Sequence, residues 1–90
     1  MNAADMTTEL KRFLIDNFVY DESYPFDETA SLMEEGVLDS TGVLELIVFL
    51  ERRFGVKVSD DELTPENLDS IASIISYLRR KLAQDPAAAA

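Results

Sequence analysis

Cysteine and histidine are both missing from the 90 residues. Without thiols the chain forms no disulfide and no thiolate metal site. Without imidazole it lacks the usual zinc ligand and the usual general base near neutral pH. A self-contained enzyme is therefore disfavoured, and neither a catalytic residue nor a metal site is assigned. Basic residues are scarce as well, 8 Lys and Arg against 18 Asp and Glu, giving a formal charge of −10. Such a surface repels nucleic-acid phosphates and anionic membranes, and partners steered by charge would carry basic patches. No apolar run approaches a membrane span, and Met1-Asn2-Ala3-Ala4-Asp5 shows no basic segment followed by an apolar one. The expectation is a soluble, cytoplasmic monomer with no nucleic-acid partner and no membrane insertion.

What is present suffices for one small core, since 47% of the residues are hydrophobic. Residues 1–6 read as frayed, with Thr7 or Thr8 as N-cap of a first helix. Leu10, Phe13, Leu14 and Phe18 recur at helical spacing until near Tyr20, with Ile15 and Val19 widening the apolar face. Residues 21–35 carry turn formers and no sustained period, a long loop for so small a domain, in which Tyr24, Phe26 and Leu32 look like anchors. The acids there do not match a calcium-binding loop, because Asp27-Glu28-Thr29-Ala30-Ser31 lacks alternating oxygens around a central Gly.

A second helix follows, with Val43, Leu46, Ile47, Leu50 and Phe54 on one stripe and Gly55 as its stop. Val56-Lys57-Val58 resembles a short extended stretch. Ser59 and Glu62 have capping-box spacing, and Thr64-Pro65 restarts a turn. The last helix carries Ile71, Ile74, Ile75, Leu78 and Leu82, with Asp69 or Ser70 as its cap. The fold class is all-α: a four-helix bundle of three main helices and one short irregular helix, with a long loop between the first two. Residues 1–83 form the domain, and residues 84–90, running through Pro86 into alanines, form a disordered tail.

The chain is organised around Gly36-Val37-Leu38-Asp39-Ser40-Thr41-Gly42, which delivers an Asp-Ser pair to the start of the second helix. A serine hydroxyl is expected to be exposed at that helix N-terminus. Most such pairs only cap helices, and Asp69-Ser70 is read as a cap alone.

In context the pair says more. Ser31-Leu32, the Gly36 to Ser40 turn, the helix from Val43 to Phe54 and the Thr64-Pro65 to Ser70 entry to the last helix together resemble the acyl and peptidyl carrier proteins, over roughly Leu10 to Leu82. The resemblance implies that Ser40 is esterified by 4′-phosphopantetheine from coenzyme A, whose thiol holds cargo as a thioester, with Asp39 as the adjacent acid facing a magnesium ion of the transferase. It also implies three kinds of partner: a phosphopantetheinyl transferase, an adenylating acyl or amino acid ligase, and downstream acyl-transfer enzymes. Gly36 is separated from Asp39 by one residue more than is usual, and Thr41 replaces the common Leu or Met. Thr41-Gly42 is closer to stand-alone aminoacyl carriers, D-alanyl carriers among them, than to fatty-acid carriers. Arg52 and Arg53 stand where fatty-acid carriers have acids.

Thr41, Leu44, Glu45 and Val48 form a second face of the central helix over which partners would dock, with Glu45 and Glu51 meeting basic residues. Alternatively, Leu44 and Val48 pack beneath the long loop. Aminoacyl cargo is the first expectation and fatty or polyketide acyl cargo the second. The rival from another class is an acidic helical adaptor that is never modified, with a hydrolase or metalloenzyme behind it.

Overall fold

A computed structural model describes residues 2–84. Its architecture is the expected all-α bundle: α1 (Ala3–Leu14), α2 (Ser40–Phe54), a 3-10 turn at Asp60–Glu62, the one-turn α3 (Pro65–Leu68) and α4 (Ile71–Gln84). Among the described residues there is no strand, Val56-Lys57-Val58 included, and no helix is long and apolar enough to cross a membrane. Gln84, expected in the tail, ends α4. The rest of that expected tail, residues 85–90, lies outside the described residues, as does residue 1.

α1 begins earlier than its pattern suggests. Asn2 is the N-cap, its side chain accepting the Asp5 amide at 2.8 Å. The Thr7 and Thr8 hydroxyls instead donate back to the Ala3 and Ala4 carbonyls, so neither threonine is a cap. Residues 2–6 are helical or capping, with Met6 buried, because that methionine extends the Leu10 and Leu14 stripe by one turn. The helix then widens into a π-helical turn at Ile15–Val19, and Tyr20 closes it in the left-handed conformation (φ 58°).

The core is the common face of α1, α2 and α4. Leu10, Leu14, Leu46, Leu50, Ile71, Ile74 and Leu78 are fully buried, each apolar side chain contributing about 1.5–3 kcal/mol relative to exposure. Phe13 of α1 stacks on Phe49 of α2 at 4.2 Å between centroids, and Arg53 of α2 grips Glu9 of α1 through two hydrogen bonds.

The long loop is held at the expected points. Leu32 is buried, while Tyr24 and Phe26 pack edge-to-face on one another and against the core. Backbone bonds add to this: Ala72 N–H donates to the Glu28 carbonyl at 2.8 Å, and Leu32 N–H to the Asp69 carbonyl at 2.7 Å. The loop therefore lies against the start of α4 and leaves the outer face of α2 uncovered.

Candidate functional site

Gly36 takes φ 76°, a conformation in which a side chain would be strained, and turns the loop back toward α2. Val37 and Leu38 are buried, and both of their amides donate to the Leu32 carbonyl, at 2.9 and 3.2 Å. The next residue, Asp39, is extended (φ −118°, ψ −175°) and caps α2: its Oδ1 accepts the Gly42 amide at 2.7 Å and its carbonyl accepts the Val43 amide at 2.9 Å.

Because Asp39 is the cap, Ser40 is the first helical residue. Its side chain is exposed, and its hydroxyl makes no hydrogen bond among the described residues. The other Asp-Ser pair is used the opposite way round. Ser70 caps α4, its Oγ accepting the Ser73 amide at 3.1 Å, and Asp69 turns aside to bind the loop. The expectation that Asp69-Ser70 is a cap alone is thus too narrow, because the dipeptide does not reveal which member turns inward.

Gly42 is buried for a steric reason. A Cβ placed there would meet Phe18 Cε1 at 3.1 Å, Asp39 Oδ1 at 3.3 Å and Leu38 Cδ2 at 3.3 Å. The glycine lets the end of the first helical segment approach the α2 N-terminus closely. That structural constraint is invisible in a sequence that offers Gly42 only as a family signature.

Ser40 opens onto a groove of about 290 Å³ walled by Met33 from the loop, Val43 from α2, and Leu63, Thr64, Pro65, Leu68 and Asp69 from the α3 region. The α3 wall is tied down by Glu62. Its Oε1 accepts the Ser59 amide at 3.0 Å, the Tyr77 hydroxyl at 2.9 Å and Lys81 Nζ at 3.1 Å, while Asn67 Nδ2 donates to its carbonyl. The Ser59 amide above all, with help from Lys81 and Tyr77 and against the effect of burial, lowers the Glu62 carboxyl from the ordinary 4.5 to about 2. Burial, reinforced by Glu62, pushes the Tyr77 phenol up.

On the outer face of α2, Leu44 and Val48 are 62% and 47% exposed, beside exposed Thr41, Glu45 and Arg52. The alternative in which these aliphatics pack beneath the loop is therefore incorrect: the loop is drawn toward α4 instead. Glu51 differs from the others, being half-buried with Oε2 accepting the Val58 amide at 3.0 Å.

The arrangement is an exposed, unengaged hydroxyl at a helix N-terminus. The Ser40 and Thr41 amides beside it make no hydrogen bond among the described residues, since the first two bonds of α2 come from Gly42 and Val43. Such a site suits a phosphate ester, with the amides and helix dipole favouring the anion and an apolar groove alongside for a slim chain.

Comparison with known proteins points the same way. A family model described as a phosphopantetheine attachment site matches residues 22–78. A D-alanyl carrier protein of Streptococcus suis is 38% identical over 72 residues, covering 80% of this chain and 89% of that protein. A D-alanyl carrier protein of Abiotrophia defectiva is 31% identical over 70 residues, 78% of this chain and 89% of that protein. An acyl carrier protein of Thermotoga maritima is 31% identical over 78 residues, 87% and 93% of the two chains. Among solved structures, a chain from a crystal structure of an FAD-dependent dehydrogenase superposes with a TM-score of 0.68 at 23% identity, over 77% of this chain and 97% of that one, a likeness of fold.

Proposed function

The chain belongs to the phosphopantetheine attachment-site family, and from that premise we propose that Ser40 is its attachment residue and that its cargo is aminoacyl. It is a carrier protein with covalently attached 4′-phosphopantetheine. When bound, this group supplies the terminal thiol on which cargo is held as a thioester.

The observation that carries the assignment of Ser40 is its exposed hydroxyl, left unengaged because Asp39 caps α2. In the attachment step Ser40 Oγ attacks the β-phosphorus of coenzyme A. The new P–O bond forms as the bond to the departing 3′-phosphoadenosine 5′-phosphate breaks, and the hydroxyl proton passes to a base. This chain has no His to serve as that base, so base and magnesium belong to a separate phosphopantetheinyl transferase. Asp39 Oδ2, which makes no hydrogen bond among the described residues, is available to face that ion. The first-turn amides of α2 would hold the phosphate of the attached group, and Met33, Val43, Leu63 and Leu68 would offer apolar surface to the arm.

Carrier proteins in general meet phosphopantetheinyl transferases, ligases and acyltransferases. For this chain the partners are a transferase, an adenylating ligase and downstream acyl-transfer enzymes, docking over Thr41, Leu44, Glu45 and Val48 with Glu51 at the edge. The chain is itself non-catalytic, monomeric and cytoplasmic. Aminoacyl cargo is supported by Thr41-Gly42 and by the D-alanyl carriers among the relatives. Fatty acyl cargo is the second reading, supported by the acyl carrier protein of Thermotoga maritima.

Intact mass after incubation with coenzyme A, magnesium and a broad-specificity transferase tests the site. One phosphopantetheine is expected on the wild type and none on Ser40→Ala; addition to both, or to neither folded protein, contradicts it. Hydroxylamine release from chain isolated with its cargo tests the second point: an aminoacyl hydroxamate is expected, and a fatty hydroxamate overturns the aminoacyl assignment.

A further inference from the structure

The loop that delivers Ser40 is held from a distance. At the α3–α4 junction, the Asp69 carboxylate accepts the Ser31 hydroxyl at Oδ2 and the Met33 amide at Oδ1 (3.1 Å), while the Asp69 carbonyl accepts the Leu32 amide at 2.7 Å. Ser31 Oγ in turn accepts the Glu34 amide at 3.1 Å. Three consecutive loop residues are thus fixed to one aspartate. The middle one, Leu32, offers its carbonyl to both the Val37 and Leu38 amides. Leu38 then leads directly into Asp39 and Ser40, and its side chain bounds the space at Gly42. A continuous hydrogen-bonded path therefore runs from Asp69 through Leu32 to the turn that presents Ser40, and Asp69, Met33 and Ser40 line the same groove.

We propose that the Asp69 side chain, together with Ser31, is a positioning residue for modification of Ser40: its carboxylate holds Ser31 and Met33 on either side of Leu32 and so orients the Leu32 carbonyl, which sets the Val37-Leu38 turn and the placement of the α2 N-terminus. The proposal rests on Ser40 being the attachment residue. Releasing Asp69 leaves the hydroxyl intact but lowers the fraction of molecules in which the turn is presented correctly. A lower competent fraction raises the apparent dissociation constant of the encounter and leaves the chemical step unchanged.

The test uses the full chain as Asp69→Ala, Asp69→Asn and Ser31→Ala. Amide hydrogen exchange by NMR is the first readout. In Asp69→Ala, exchange at Val37, Leu38 and Gly42 is expected to accelerate by about tenfold or more, with Leu10, Leu14 and Leu78 unchanged, the pattern of a local opening. Ser31→Ala, which removes one of the two side-chain contacts to Asp69 and the acceptor of the Glu34 amide, is expected to act in the same direction, and it keeps the test open should Asp69→Ala unfold. Asp69→Asn retains an acceptor for Met33 and gains a donor for Ser31, so near wild-type exchange is expected. The second readout is modification by a broad-specificity phosphopantetheinyl transferase, with KM for the unmodified chain expected to rise about fivefold in Asp69→Ala and kcat to stay within about twofold. Unchanged exchange at Val37 and Leu38, uniform acceleration through α1 and α4, or faster exchange with unchanged KM would each overturn the positioning role. Absence of modification at Ser40 in the wild type would overturn the reading on which it rests, and the exchange pattern separates the two failures.

Discussion

At Asp39 the side chain accepts the Gly42 amide, and this keeps the neighbouring Ser40 hydroxyl outside the helix's own hydrogen bonding. A serine in the capping position would have spent its oxygen on an amide, as Ser70 does. Glu62 shows a comparable division at the far wall of the groove, one carboxylate serving Ser59, Tyr77 and Lys81. Its pKa is lower in the folded chain than in the unfolded one, so its stabilising contribution is complete above about pH 4.5 and lost as the pH falls toward 2. Glu62→Gln is expected to cost about 1–3 kcal/mol in urea melts at neutral pH, as for hydrogen bonds to a charged group. That difference is expected to shrink steadily below pH 4.5, and a difference independent of pH would contradict this account of Glu62.

α2 carries two unlike faces, a buried stripe of Leu46, Leu50 and Phe54 and an outer face of Leu44 and Val48 exposed beside Glu45. Leu44→Asp is therefore expected to retain helicity by circular dichroism while slowing attachment of phosphopantetheine. Lost helicity would instead place Leu44 in the core. Most of this element was legible in the sequence, because its stripe and its Gly55 stop are local signals, as is the Thr64-Pro65 restart that opens α3. The α1 start was not, since Asn2 and Met6 sit in a segment without enough periodicity to distinguish a first turn from a frayed end. Tyr77 was missed for a different reason: its phenol is buried only because Glu62, distant in sequence, supplies a partner. The two Asp-Ser pairs show the same limit at the site, because their opposite orientations depend on loop contacts that the dipeptide does not encode.

For the whole molecule, an excess of ten negative charges outweighs a few surface ion pairs such as Lys11–Glu28 and Arg12–Glu22, each worth about 0–1 kcal/mol. Self-repulsion is the larger effect, and salt screens it. The melting temperature is expected to rise between about 10 mM and about 500 mM sodium chloride; a fall would mean that the ion pairs dominate. The same charge, with the exposed outer face of α2, supports the proposed docking of basic partners there. Whether the arm is carried at Ser40 is decided by fragmenting the modified chain in a mass spectrometer: the phosphopantetheine mass is expected on Ser40 alone, and the same mass on Thr41, Ser31 or any other hydroxyl would contradict the assignment.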